Sequence, residues 1–419
     1  MWKLIATAGA TLLGVLAYAN LTAGEKRIQR SITNRYSIDS DDFRRALGVL
    51  LGPEVTEGNT VRLLRNGDEI FPAMLDAIGG ARETICFETF IYWSGSIGQR
   101  FADALCERAR AGVRVHVLLD WLGSQRMSRR LLHKMQACGV VVQRYHRPSI
   151  FQLRHMNHRT HRKLLVIDGR IGFTGGVGIA DTWLGHAQDP QHWRDSHFRV
   201  EGPAVAQIQA VFLDNWIKAT GEVLHGSPYF PPLERVGSQS AQMFGSSAAG
   251  GSASMHLLYL LAITAARERI VLSSAYFVPG PLAVKALVDA AERGVDIRIL
   301  VPGRHIDVST IRKASRSLWP PLLKAGIAIA EYQPTMFHCK VLVIDDCFVS
   351  IGSTNFDNRS FQLNDEANLN VLDADFAREQ VRVFEEDWQR GRRVRRRDLK
   401  RDWLRWQVER LVGTMRPQL

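Results

Sequence analysis

With 419 residues, of which 46% are hydrophobic and 23% charged, the chain has a globular composition and the length for two domains of ordinary size. Its formal charge of +12 asks for an anionic partner, nucleic acid or an acidic membrane surface, but eleven Lys or Arg against three Asp or Glu fall from Arg390 onward, which argues against a basic groove over the whole protein. The five cysteines (Cys86, Cys106, Cys138, Cys339, Cys347) include no CxxC pair, so they read as free thiols in a reducing compartment, and neither Cys nor His has the paired spacing of a metal site.

The first predicted element is LIATAGATLLGVLAYANLT (4–22), uncharged and long enough to span a bilayer. Ala17-Tyr18-Ala19 resembles a cleavage site, so a removed signal peptide is the competing expectation, and a helix lying in the interface a third. Lys26, Arg27 and Arg30 outnumber Lys3 plus the amino terminus, and the positive-inside rule then keeps the rest of the chain in the cytoplasm. A retained anchor with its linker is expected over 1–40.

Beyond it the chain repeats itself. Ala77, Ile78, Ala81, Arg82, Glu83 and Ile85 recur as Ala262, Ile263, Ala266, Arg267, Glu268 and Ile270. ALCERARAGVRVHVLL (104–119) parallels ALVDAAERGVDIRILV (286–301), and VFLDNW (211–216) parallels VFEEDW (383–388). Each copy reads strand, helix, strand, helix, strand, then a hairpin and a closing helix. That order predicts two α/β units over 41–225 and 226–388, each with a largely parallel sheet covered by helices, divided at the Pro-, Gly- and Ser-rich HGSPYFPPLERVGSQS (225–240). Only the first copy carries a basic insert, HRPSIFQLRHMNHRT (146–160), placed for a role in substrate entry.

The clearest repeat is HRKLLVIDGRIGFTGG (161–176), matched by HCKVLVIDDCFVSIGS (338–353). His161, Lys163, Asp168, Gly175 and Gly176 recur at the same spacing as His338, Lys340, Asp345, Gly352 and Ser353. A lone HxK carries little information, but the whole pattern in both copies of a repeat is a specific signal. Side chains alternate along a strand, so each His and its Lys point to one side. The residues suit phosphoryl transfer: one neutral imidazole attacks phosphorus, a second protonates the leaving alkoxide, and two lysines with the small-residue loops stabilise phosphoryl charge without a metal or cofactor. Each imidazole needs a partner on its far nitrogen, and Asp195 and Glu366 are the candidates. Asp168 and Asp345 sit at the hairpin turns and are expected to be structural.

With FETFIYW (87–93), WRDSHFRVEGPAV (193–205), SAYFVPG (274–280) and IGSTNFDNRSFQLNDEANL (351–369), the duplicated motif resembles the phospholipase D superfamily, and most closely the bacterial cardiolipin synthases, over about residues 58–388. The resemblance implies two similar α/β/α sandwich domains facing each other as a pseudo-dimer around one site. It also implies His161 as nucleophile and His338 as acid, with phosphate held by Lys163, Lys340 and Asn355, and orienting carboxylates on Asp195 and Glu366. Gly175, Gly176 and Ser353 are expected to line the substrate. One departure stands in the first motif, where GGVG places Gly178 opposite Asn355. The activity implied is a phosphatidyl transfer joining two phosphatidylglycerols into cardiolipin at the bacterial inner membrane.

The tail (389–419) contains RGRRVRRRDLKRDWLRWQVERLVGTM (390–415), whose arginines beside Trp403, Leu404, Trp406 and Leu411 suit an anionic lipid interface. With the anchor it favours lipid over nucleic acid as partner. A phospholipase D or phosphodiesterase remains the alternative, since only the acceptor of the second step differs. A non-enzymatic membrane-binding scaffold is third, disfavoured by intact His and Lys in both motifs.

Overall fold

The computed structural model describes residues 36–145, 158–247 and 254–400, with scattered positions before residue 36. Most of the predicted span 4–22, the basic insert up to residue 157 and the tail from residue 401 lie outside them. Among the described residues no helix is long and apolar enough to cross a membrane.

The first half supplies β1 (Thr56–Arg65), β2 (Thr84–Thr89), β3 (Arg114–Asp120), β4 (Val141–Tyr145), β5 (Arg159–Thr160), β6 (Leu164–Ile167), β7 (Ile171–Gly175) and β8 (Ser196–Glu201). The second supplies β9 (Gln239–Ser246), β10 (Arg269–Ser274), β11 (Phe277–Val278), β12 (Asp296–Pro302), β13 (Ala328–Tyr332), β14 (Lys340–Ile344), β15 (Phe348–Gly352), β16 (Phe356–Asp357), β17 (Asn364–Leu372) and β18 (Gly391–Arg393). One mixed sheet runs β18-β13-β12-β10-β14-β15-β17-β9-β1-β8-β7-β6-β2-β3-β4, with β5 paired to β17 off this path. Read outward from the β1–β9 join, the order is equivalent in both directions.

The sheet is less parallel than the repeat predicts. β2, β3 and β4 are parallel, as are β10, β12 and β13, whereas the strands nearer the join are antiparallel. The cause is the hairpin: β6 returns against β2, β7 against β6, and a further strand, β8, against β7. Each copy also holds helix and strand beyond those predicted, Arg129–Ala137 with β4 in the first and two helices, Ser309–Ser317 and Trp319–Lys324, with β13 in the second. VVQRY of β4 carries little apolar alternation because it is an edge strand, which hides it from a pattern search.

Helices Asn66–Gly79, Ser96–Arg110 and Arg129–Ala137 cover one face of the first half around Phe71, Phe87 and Phe101, and Ser254–Ala265 and Pro281–Glu292 cover the second around Leu258, Ile263 and Leu287. Under Ala204–Thr220 and Ala374–Gln389, a third apolar layer containing Phe212, Trp216, Phe384 and Trp388 crosses the join. Burial of that layer from both halves is what makes the molecule one body.

Asp168 turns the β6–β7 hairpin at φ +51°, followed by Gly169 at +61°, and these two left-handed residues open the three-residue loop 168–170. Its carboxylate accepts from the backbone N–H groups of Arg82, Glu83 and Thr84 at 2.9, 2.8 and 2.8 Å. Asp345, at φ +49°, does the same for Arg267, Glu268 and Arg269. Each turn is thereby tied to the start of the neighbouring strand, and the repeated Arg-Glu pair marks the place where it lands.

Candidate active site

The two HxK segments lie just ahead of β6 and at the start of β14. Each is docked on the opposite half. Arg159 and Thr160 pair in parallel with Asn364 and Asp365, and the His161 N–H donates to the Asp365 carbonyl at 2.9 Å. In the equivalent place Phe337 bridges to Arg194, and the His338 N–H donates to the Arg194 carbonyl at 2.8 Å. Those carbonyls immediately precede Glu366 and Asp195.

The carboxylate pairs are accordingly crossed. His161 Nδ1 lies 3.0 Å from both oxygens of Glu366, and His338 Nδ1 lies 2.7 Å from Asp195 Oδ2. Both carboxylates are fully buried. Their supports differ: Glu366 accepts from the Ser353 hydroxyl and the Asn364 amide (3.1 Å), whereas Asp195 accepts from Trp183 Nε1 (3.0 Å) and the Ser196 N–H (2.8 Å). The lysines lie beside the histidines, Lys163 donating to the His161 carbonyl at 2.6 Å and Lys340 to the His338 carbonyl. Phe90 meets the His161 ring edge-on at 5.4 Å, and Trp183 and Trp193 each stand 5.4 Å from His338.

Burial controls the protonation states. It pushes His161 down to about 4 and His338 to about 3; Lys340 adds to the lowering of His338, and the facing carboxylates offset it in part. Lys163 is lowered to about 7 by the same desolvation, and Lys340 is lowered as well. Burial alone would raise Asp195 and Glu366, but the paired imidazole and nearby lysine outweigh it, and both are held below the usual carboxylate range. At neutral pH each Nδ1–H is therefore committed to a carboxylate and each Nε2 keeps its lone pair. Among the described residues no three His, Cys, Asp or Glu side chains converge in a way that could hold a metal ion.

The remaining expected site residues gather around these pairs. A Cβ on Gly176 would stand 2.3 Å from the Asp195 carboxylate, and one on Gly175 would stand 2.6 Å from the buried His197 imidazole. Ser353 holds the place equivalent to Gly176 and spends its hydroxyl on Glu366. Asn355 is buried, and its amide oxygen has no partner among the described residues. At Gly178 a Cβ would meet Ile91 Cβ at 2.8 Å, so the first half has no room for the asparagine of the second. Sequence reasoning missed Trp183, Trp193, Phe90 and Asn364. Phe90, Trp193 and Asn364 lie within FETFIYW, WRDSHFRVEGPAV and IGSTNFDNRSFQLNDEANL, whereas Trp183 lies in none of these stretches.

The family model described as cardiolipin synthase, PLD-like domain matches residues 74–216 and 259–388. Cardiolipin synthase 1 of Bacillus anthracis is 34% identical over 353 residues, covering 82% of this chain and 69% of its own length. Cardiolipin synthase A of Pseudomonas aeruginosa is 37% identical over 333 residues, covering 79% of this chain and 67% of its own. The phosphatidylserine synthase of Haemophilus influenzae has a likeness of fold alone, with a TM-score of 0.62 over 86% of this chain and 95% of that one at 13% identity. A duplicated HxK site and these matches over most of the chain lead to one conclusion: the protein belongs to the cardiolipin synthase family of PLD-like proteins.

Proposed function

We propose that the protein is a phosphatidyltransferase that joins two phosphatidylglycerols into cardiolipin and releases glycerol. The observation that carries the chemistry is the crossed pairing, which leaves two imidazoles with free Nε2 atoms beside two lysines. In the first step His161 Nε2 attacks the phosphorus of one lipid. The P–O bond to the headgroup glycerol breaks, a proton from His338 Nε2 goes to the departing oxygen, and phosphatidyl-His161 and glycerol result. In the second, a headgroup hydroxyl of another phosphatidylglycerol gives its proton to His338 and attacks phosphorus, breaking the P–N bond and freeing His161.

The electrostatics support this division. Neutral His161 is the nucleophilic form, and Glu366 stabilises the positive charge that its ring acquires on attack. His338 must arrive protonated. A phosphodiester anion adds negative charge beside the two lysines, whose own charge lowers His338, and so raises the proton affinity of His338. Lys163, Lys340 and the side-chain NH2 of Asn355 donate to the phosphoryl oxygens, and Gly175, Gly176 and Ser353 shape the pocket behind them.

The rest of the organisation belongs to the same proposal. Residues 41–225 and 226–388 act as two PLD-like units in a pseudo-dimer with one shared site, residues 4–22 anchor the chain in the membrane, and the arginine-rich tail meets anionic lipid. The test is mass spectrometry of lipids after incubation with phosphatidylglycerol in mixed micelles, beside His161→Ala and His338→Ala. Cardiolipin and glycerol from the unaltered protein alone are expected. Phosphatidic acid in their place makes the protein a phospholipase, and the absence of any lipid product removes both lipid activities.

A further inference from the structure

One buried carboxylate takes no part in the chemistry above. Glu88, at the end of β2 in FETFIYW, is fully buried, and its Oε1 accepts from the Thr160 hydroxyl and from Asn215 Nδ2 at 2.7 Å. Its Oε2 is buried with no partner among the described residues. Burial pushes the carboxyl up to about 7, against the pull of Arg162, Thr160 and Asn215. A carboxylate kept in such a place costs stability unless it fixes something.

What it touches is the residue ahead of His161. Thr160 is gripped from both sides. Its hydroxyl is held by Glu88, its N–H lies 3.2 Å from Asp120 Oδ2 at the end of β3, and it pairs with Asp365, the neighbour of Glu366, on the opposite half. Thr160 thus sets where the His161 imidazole stands relative to the carboxylate that orients it. The second half is built otherwise. Phe337 precedes His338 and packs its ring 5.0 Å from Tyr332, Ser273 stands at the position of Glu88, and Asp387 stands at that of Asn215. Asp387 there pairs with Arg194 instead. The polar clamp belongs to the His161 side alone.

We propose that Glu88 is a positioning residue for His161, acting through Thr160 to hold the imidazole in reach of phosphorus, with no part in lipid binding. This rests on His161 being the nucleophile. The full chain is assayed with phosphatidylglycerol micelles as Glu88→Ala, Glu88→Gln, Thr160→Val and Thr160→Ser, with kcat, KM and melting temperature measured for each. Glu88→Gln keeps an oxygen for both donors and Thr160→Ser keeps the hydroxyl, so both are expected to retain kcat. Glu88→Ala and Thr160→Val are expected to lose kcat on the order of 10- to 100-fold, the scale of a misplacement near 1 Å, with KM unchanged. If Glu88→Ala does not fold, the two threonine variants decide. Wild-type kcat in Thr160→Val, or Gln as damaged as Ala, overturns the inference. An active His161→Ala overturns the functional reading beneath it, whereas an inactive His161→Ala beside fully active Glu88→Ala and Thr160→Val overturns the positioning role alone.

Discussion

Removing the charge from each orienting carboxylate in turn should not cost the same. In Asp195→Asn the new amide group must replace Oδ1, which faces the Ser196 N–H at 2.8 Å, or Oδ2, which faces Trp183 Nε1–H at 3.0 Å and His338 Nδ1 at 2.7 Å. The Ser196 and Trp183 groups donate only and cannot reverse. In Glu366→Gln the amide can take the place of Oε2, because the Ser353 hydroxyl there can turn toward the Ala367 carbonyl, 3.4 Å away, and accept. His161 Nδ1, 3.0 Å from both oxygens of Glu366, then gives up the contact at Oε2 and keeps the one to Oε1. Loss of charge from one hydrogen bond costs about 1–2 kcal/mol, and a buried clash between donors adds about 1–3 kcal/mol. At about 1.4 kcal/mol per tenfold, Glu366→Gln should lower kcat/KM by roughly 10-fold and Asp195→Asn by roughly 100- to 1,000-fold. Initial rates of cardiolipin formation over a range of phosphatidylglycerol would measure both. Equal losses, or a larger one in Glu366→Gln, would refute the assignment of donors around the two carboxylates.

Three further outcomes are expected. His161 and His338 are lowered from 6.5 to about 4 and about 3, so the unfolded chain takes up protons that the folded one resists as pH falls below 6.5. Melting temperature should therefore drop as pH falls from 6.5 toward 4, and less steeply in His338→Ala; an identical slope in that variant contradicts the burial argument. Binding of a short-chain phosphodiester at pH 7 should draw in up to about one proton, because the anion raises the proton affinity of imidazoles and lysines that burial has lowered. Calorimetry in two buffers of different ionisation enthalpy reads this directly, and equal heats would exclude it. Arg194 and Asp387 form a buried ion pair at 2.8 Å, so Asp387→Ala should cost about 3–5 kcal/mol of unfolding free energy, with much of it recovered in the double variant Arg194→Met/Asp387→Leu. Denaturant unfolding decides it, and a single variant as stable as the parent refutes the role of the pair.

Local pattern carried much of this molecule. The hairpins behind both motifs, the turn positions of Asp168 and Asp345 and the strands VRVHVLL and DIRILV are short-range features, set by alternation and turn chemistry, and they stand where the sequence places them. The candidates Asp195 and Glu366 could be named because a neutral imidazole needs a carboxylate. Which one serves which histidine could not, since that depends on β5 crossing to β17 and on Arg194 meeting Phe337, contacts between residues more than a hundred positions apart. Trp183 and Asn364 lie only twelve and two positions from the carboxylates they serve, but their hydrogen bonds have no spacing signature. The mixed sheet escaped for another reason: a strand that returns against its neighbour reads in sequence like one that runs beside it.

The exchange of carboxylates between the halves also bears on how the chain comes into being. During synthesis the segment holding His161 is complete long before Glu366 has been made, and Asp195 waits in the same way for His338. Until β17 is laid down His161 has no counterion, whereas His338 finds Asp195 already made. A chain that stops short of β17 therefore lacks the carboxylate that orients His161, and the two halves of the site are completed one after the other during synthesis.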